Sequence, residues 1–190
     1  MNLQGYRHTQ LGQLTNDIGV YALCDLDQVP IYVGRSVQGI RARVRRHLTS
    51  ARSDVIANRQ LDVWEVAFVW AWPMPGAAPE LISQVEYYLA NDFHRLKPLM
   101  GTIPPAPQHT PEIPEKQVVA ILPDEEIEKR KDPMLRLPRQ ATHFNNLFSH
   151  ILEVKDNDVL RAALAAHFDR LSSYYQTFMN GPELSPESDT

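Results

Sequence analysis

Ile18-Gly19-Val20-Tyr21-Ala22-Leu23-Cys24 and Pro30-Ile31-Tyr32-Val33-Gly34, joined through Asp25-Leu26-Asp27-Gln28 and followed at 39–50 by GIRARVRRHLTS, decide how this chain is read. The first two runs are short and rich in β-branched and aromatic residues, with an acidic turn between them, the pattern of an antiparallel hairpin. With the turn centred between Leu26 and Asp27, Tyr21 faces Tyr32 directly and both phenols share one face of the sheet. Val20, Ala22, Ile31 and Val33 then take the opposite, buried face. In the third run Ile40, Val44 and Leu48 recur every four residues, which predicts a one-sided helix. Arg43 and His47 are also four apart and stack together, about 100° around the helix from the apolar stripe.

Working outward, residues 63–70 (VWEVAFVW) read as a strand with Trp64, Val66, Phe68 and Trp70 on one face. A Pro/Gly turn follows. A helix is expected from about Glu80 to Leu96, with Leu81, Val85, Tyr88, Leu89, Phe93 and Leu96 inward, Pro79 as its start and Pro98 as its stop. The order β-β-α-β-α makes an α+β unit, a small antiparallel sheet of about three strands flanked by helices. Residues 98–123 hold seven of the fifteen prolines and read as a linker or strap, with Gln117–Leu122 able to add a short strand. Residues 124–132 (DEEIEKRKD) read as solvated. Phe144, Leu147, Phe148, Ile151 and Leu152 mark one further helix. Leu160, Ala163, Leu164, His167, Phe168, Leu171 and Tyr175 mark a second, with Gly181 as its stop. The expected division is therefore a unit at 1–98, a Pro-rich strap at 99–138, a helical hairpin at 139–180 and a disordered tail at 181–190.

The 190 residues are 43% hydrophobic and 22% charged, which is globular rather than disordered composition. No run of eighteen apolar residues is long enough for a membrane helix, and MNLQGYRHTQLGQ lacks the apolar centre of a secretion signal. The single cysteine, Cys24, excludes an intrachain disulfide and a cysteine-rich zinc module and points to the cytoplasm. The net charge of −4 is unevenly spread: the first hundred residues carry ten Lys/Arg against nine Asp/Glu, the remainder nine against fourteen. Between 35 and 52 there are six arginines (35, 41, 43, 45, 46 and 52) and no acid. A polyanion responds to that local field rather than to the total.

Two phenols, a guanidinium, an imidazole and the helix-borne carboxylate of Glu86 suffice for phosphodiester hydrolysis. One carboxylate can hold Mg²⁺, which keeps most of its waters. The metal and an arginine stabilise charge on phosphate oxygens, and a phenol or imidazole moves the proton of the attacking water. Isolated tyrosines, histidines and helix glutamates are ordinarily packing or solvated groups; it is their joint order that points to a site. The remaining histidines have no metal-ligand spacing. Trp72 beside Pro73 is read as packing, with base stacking as the other use.

Gly19-Val20-Tyr21, Tyr32-Val33-Gly34, Arg43-x₃-His47 and Glu86, in this order and over roughly residues 17–98, resemble the GIY-YIG endonuclease family. The resemblance implies a DNA endonuclease that uses one Mg²⁺ or Mn²⁺ ion. It implies Glu86 as metal ligand, Tyr21 as general base, Tyr32 as its assistant, Arg43 on the scissile phosphate and His47 in proton transfer or phosphate contact. Gly19 and Gly34 would leave room for close backbone approach. Arg35 matches a position where a basic residue is frequent; Arg35, Arg41, Arg45 and Arg46 are expected to bind the DNA backbone. One departure is visible: the family usually places an asparagine about a dozen residues after the glutamate, where this chain reads Arg95-Leu96-Lys97-Pro98-Leu99-Met100-Gly101, and Asn91 lies only five residues on. That departure supports the alternative, a nuclease-fold module that binds nucleic acid or assembles a larger complex without cutting. The net-acidic C-terminal hairpin is expected to serve self-association or docking to a protein partner rather than phosphate contact.

Overall fold

The computed structural model describes residues 2–50 and 53–181, so Arg52 and the tail from 182 onward lie outside the described residues. Four strands form one antiparallel sheet in the order β2-β1-β3-β4: β1 (Gly19–Cys24), β2 (Pro30–Ser36), β3 (Phe68–Pro73) and β4 (Gln117–Ala120). The fourth strand, drawn from the Pro-rich segment, makes the sheet one strand wider than expected. Helix α4 (Pro79–Leu96) covers one face. Helices α1 (Leu3–Gln13), α2 (Ile40–Thr49), α6 (Pro133–Glu153) and α7 (Asp158–Asn180) cover the other. Two shorter helices, α3 (Asp54–Ala57) and α5 (Asp124–Lys131), complete the described elements. Every residue of β1 is buried, because this strand is covered on both faces. No helix among the described residues is long and apolar enough to cross a membrane.

Alternation along the strands sorts the two cores. Val20, Ala22, Phe68, Trp70 and Trp72 meet Ile82, Val85 and Leu89 of α4. Tyr21, Leu23, Val69 and Ala71 meet Ile40, Val44 and Leu48 of α2 and Leu147, Ile151, Leu160 and Ala163 of the C-terminal hairpin. The inward face of α4 uses Ile82 in place of the expected Leu81; Leu81 and Leu96 are exposed.

Several expectations are corrected. The hairpin register is Tyr21↔Gly34 and Leu23↔Tyr32, not Tyr21↔Tyr32. The turn is longer than a two-residue turn because the Asp25 carboxylate accepts the amides of Asp27 and Val29, and Gln28 adopts a positive φ of 61°. The slip is by two residues, so both phenols stay on the same face. An irregularity after Leu23 moves Ile31 to the Tyr21 side of the sheet. The third strand begins at Phe68, since Asp62 caps a turn by accepting the Trp64 amide, and Val63–Glu65 belong to that turn. Trp64 leaves the sheet to pack with Leu26, Ala67, Leu122 and Ile127.

The largely solvated segment at 124–132 forms the helix α5. Its acids occupy the first turn and its bases the last, in the sense that opposes the helix dipole, and Ile127 and Arg130 are buried. Helix α6 starts at Pro133 rather than near 139 because Asp132 caps it through the Met134 amide. The strap also contributes to the core: Leu99 and Met100 are buried, and the Met100 amide donates to the Ile31 carbonyl at 2.7 Å.

The C-terminal hairpin shares the core of the first ninety-eight residues, and three of its arginines, Arg136, Arg139 and Arg170, pair with acids there. Arg170, fully buried, donates to Asp25 at 2.6 Å and to the Pro30 carbonyl at 2.9 Å. Arg136 reaches Glu65 at 2.9 Å and Asp27 at 2.6 Å. Arg139 holds Asp62 with two bonds of 2.8 and 2.9 Å. Removing one partner of such a buried pair leaves an uncompensated charge. Arg170→Ala is therefore expected to lower the unfolding free energy by about 3–5 kcal/mol in urea titrations. Arg161→Ala, at an exposed pair with Asp156, should leave the midpoint nearly unchanged.

His167 donates its Nε2 proton toward the Gln60 carbonyl at 3.1 Å, and its ring lies tilted 4.5 Å from that of His143. Burial first, then His143, push its pKa down to about 3. The unfolded chain takes up this proton near pH 6.5 and the folded chain does not until about pH 3. Its contribution to stability is thus complete above about pH 6.5 and falls as the pH drops toward 3, by up to about 1.4 kcal/mol per pH unit. His167→Gln, which keeps a donor for Gln60, is expected to flatten the decline of melting temperature between about pH 6.5 and 4.5.

Candidate active site

Tyr21 sits in the central strand with its ring fully buried, aimed at α2. Its hydroxyl lies 2.8 Å from Nε2 of His47, and Nδ1 of His47 lies 2.8 Å from Oγ of Ser53. Arg43, one turn before His47, and Tyr32 also lie close enough to the Tyr21 hydroxyl to act on its pKa. With the Tyr21 proton assigned to His47 Nε2, Nδ1 carries the hydrogen donated to Ser53. The Tyr32 ring packs edge-on to His47 at 5.7 Å and 6.3 Å from the Tyr21 ring. The structure thus brings Tyr21, Tyr32, Arg43 and His47 into one cluster.

The observed register explains the second glycine. Gly34 faces Tyr21 across the hairpin, and a Cβ there would lie 2.7 Å from the Tyr21 hydroxyl oxygen. Gly19 has φ of 147° and a Cβ there would run into the Trp72 carbonyl. Gly19 thus leaves room for backbone and Gly34 for the Tyr21 side chain.

Burial, then the neighbouring Tyr32, raise the Tyr21 pKa well above that of a free phenol, against the lowering effect of Arg43. Tyr21 therefore holds its proton at neutral pH.

Glu86 is not in this cluster. It stands on α4, on the other side of the sheet, and is paired with Arg35 at 3.4 Å. Burial raises its pKa and Arg35 opposes that rise. Arg35 connects the two regions. It lines a cleft of about 470 Å³ with Ser36, Gly39, Arg43 and Arg46, and also lines the groove that holds Glu80, Glu86 and Pro104. Arg43 also lines this cleft, and its Nε is buried without a hydrogen-bond partner among the described residues.

The basic helix divides its arginines. Arg46 is exposed in the cleft. Arg41 is turned inward, its Nε donating to the Leu14 carbonyl to tie α2 to the end of α1. Arg45 lies in a different pocket.

No group of three His, Cys, Asp or Glu side chains among the described residues makes a metal cage, which fits no zinc-type centre. A single carboxylate with water completing the shell fits Mg²⁺ or Mn²⁺. Glu86 suits that role: it is half-buried beside an open groove, and its ion-pair partner Arg35 is 46% exposed, with room to turn toward solvent.

Two residues of this region were not singled out from the sequence. Ser53 fixes the imidazole, and its signal was its place at the start of α3, where it accepts the Ala57 amide on its carbonyl. Glu80 shares the Glu86 groove and carried no signal beyond being acidic in a first helical turn. No protein-family model, curated protein or solved structure matches this chain.

A methyl group at Gly34 would displace the Tyr21 hydroxyl from His47. Gly34→Ala is expected to cost about 1–3 kcal/mol of stability by denaturant unfolding, the scale of an overpacked core. Gly12→Ala, where nothing lies within 4 Å, is the control that should cost nothing.

Proposed function

We propose that this chain is a GIY-YIG-type endonuclease that hydrolyses DNA phosphodiester bonds with one divalent ion. The observation that carries the reading is the buried Ser53–His47–Tyr21 chain ending beside Arg43 at a cleft lined by three arginines. A chain of this kind has little use in packing alone, since each buried polar group costs free energy unless it is satisfied.

In this reading Arg35, Arg43 and Arg46 hold the phosphate, and the buried Arg43 Nε gains its missing acceptor from a phosphate oxygen. Tyr21 stays neutral and relays a proton: its oxygen takes one from the attacking water, which becomes the hydroxide nucleophile, as its own hydroxyl proton passes to His47 Nε2. His47 is the terminal base, kept in the productive tautomer by Ser53. Tyr32 orders the Tyr21 hydroxyl. A Mg²⁺ or Mn²⁺ ion held by Glu86 would supply charge stabilisation for the phosphate oxygens. The cytoplasm is the proposed compartment. Self-association or a protein contact is proposed for the outer faces of α6 and α7, where Phe148, Phe168 and Tyr175 are exposed.

The second reading, a nucleic-acid-binding or assembly module that does not cut, is favoured by one observation: Glu86 lies across the sheet from Tyr21, paired with Arg35. Supercoiled, linear, branched and single-stranded DNA, incubated with Mg²⁺ or Mn²⁺ and with chelator, separate the two. Cleavage is expected only with metal. It should be lost in Glu86→Gln with DNA binding retained, and be slowed by about 10² or more in Tyr21→Phe and His47→Ala. Arg46→Ala should reduce the dependence of log K on log salt by about 0.9 for each phosphate no longer neutralised, and Arg41→Ala should not. DNA bound with that salt dependence but left intact in every condition would favour the module.

A further inference from the structure

Helices α1, α2 and α5 converge on a pocket of about 550 Å³. It lies on the side of α2 away from the cleft, since Arg45 is two residues, or about 200° of helix, from Arg43. Each helix contributes one guanidinium: Arg7, Arg45 and Arg130. Leu11, Leu48 and Leu122 supply apolar wall.

The three arginines are not equivalent. Arg130 is occupied, with Nε on Glu126 at 2.7 Å and Nη1 on the Trp64 carbonyl at 2.6 Å. The Nε atoms of Arg7 and Arg45 are buried and have no hydrogen-bond partner among the described residues. Glu126 is thus one acid, already engaged, against three cations. Burial first, and Arg130 beside it second, hold the Arg7 pKa below the usual arginine value. Arginine stems often lie along apolar surface with the head in water, but that arrangement would leave Nε solvated. Buried, unpartnered donors beside a like charge are unfavourable for the empty protein and favourable once an anion is present.

We infer that this pocket binds a phosphate group, held by Arg7 and Arg45 against Arg130. The volume matches a nucleotide-sized ligand, and the leucine wall suits an apolar or planar body attached to the phosphate. The same chemistry is presented by a free nucleotide and by the DNA backbone, and the experiment separates these sources. The inference stands apart from the cleavage reading, because its readout is binding.

The probes are inorganic phosphate, deoxyadenosine monophosphate and a short DNA duplex, each titrated against the full chain and its Arg7→Gln and Arg45→Gln variants by calorimetry and thermal melting. If the source is a free nucleotide, the monophosphate raises the melting temperature of the parent protein and binds at least tenfold more weakly to both variants. If the source is DNA, only the duplex responds, with at least tenfold weaker binding and a smaller salt slope in the variants. Arg45→Lys keeps the charge without the planar fork and should recover part of the affinity. Without ligand, Arg7→Gln should melt at the same temperature as the parent or higher, because it removes a like charge; a structural arginine would do the reverse. Equal binding of all three probes by parent and variants, or variants that melt lower while binding phosphate normally, would overturn the inference.

Discussion

The Asp25 carboxylate organises the structure around the site. One oxygen accepts the amides of Asp27 and Val29 and so shapes the β1–β2 turn; the other takes Arg170 from the last helix at 2.6 Å. The turn sets the register, and the register puts Gly34 opposite Tyr21. Only with that pairing does the Tyr21 hydroxyl have room to reach His47 on α2. A charge at the end of β1 thereby governs a hydrogen bond near the other end of the same hairpin, and Arg170 makes that charge tolerable in the interior.

The sheet also imposes a separation. Residues of β1 alternate, so Tyr21 faces α2 and its neighbours Val20 and Ala22 face α4. A carboxylate on α4 and a phenol on β1 cannot share an enclosed cavity. They can address one extended substrate only around the edge of β2, where Arg35 borders both the arginine cleft and the Glu86 groove. A small molecule confined to one pocket would meet only half of these groups.

The arginines show how the same residue type is divided by position. Those of the C-terminal hairpin neutralise acids of the first half of the chain: Arg170 with Asp25, Arg136 with Glu65 and Arg139 with Asp62. Arg136 and Arg170 are buried in doing so, while Arg161 stays at the surface with Asp156. Those of α2 go three ways. Arg41 ties down the end of α1, Arg43 and Arg46 line the cleft, and Arg45 turns to the pocket with Arg7. Helical geometry alone sends consecutive odd-numbered arginines to opposite sides.

The amino-acid sequence by itself determined the α+β class, the β1–β2 hairpin, α2 and α4, because hydrophobic periodicity and Pro or Gly boundaries are local signals. It also put Tyr21 and Tyr32 on one strand face, which a two-residue register slip preserves, and Arg43 and His47 on one helix face; that these two faces meet followed from the packing of α2 on β1. Tertiary structure decided the rest. The register depended on an Asp25 carboxylate folding back on its own turn and held by a residue 145 positions away. Glu86 was legible as a helix-boundary carboxylate, but which face of the sheet it occupied followed from α4 packing on Val20 and Ala22. The phenol's raised pKa followed from burial by helices distant in the chain. The pocket of Arg7, Arg45 and Arg130 came from three helices that no spacing connects. Side chains separated by tens of residues acquire a common environment only when the chain between them has packed, and that environment, more than residue identity, sets which donors stay unpartnered and which protons stay bound.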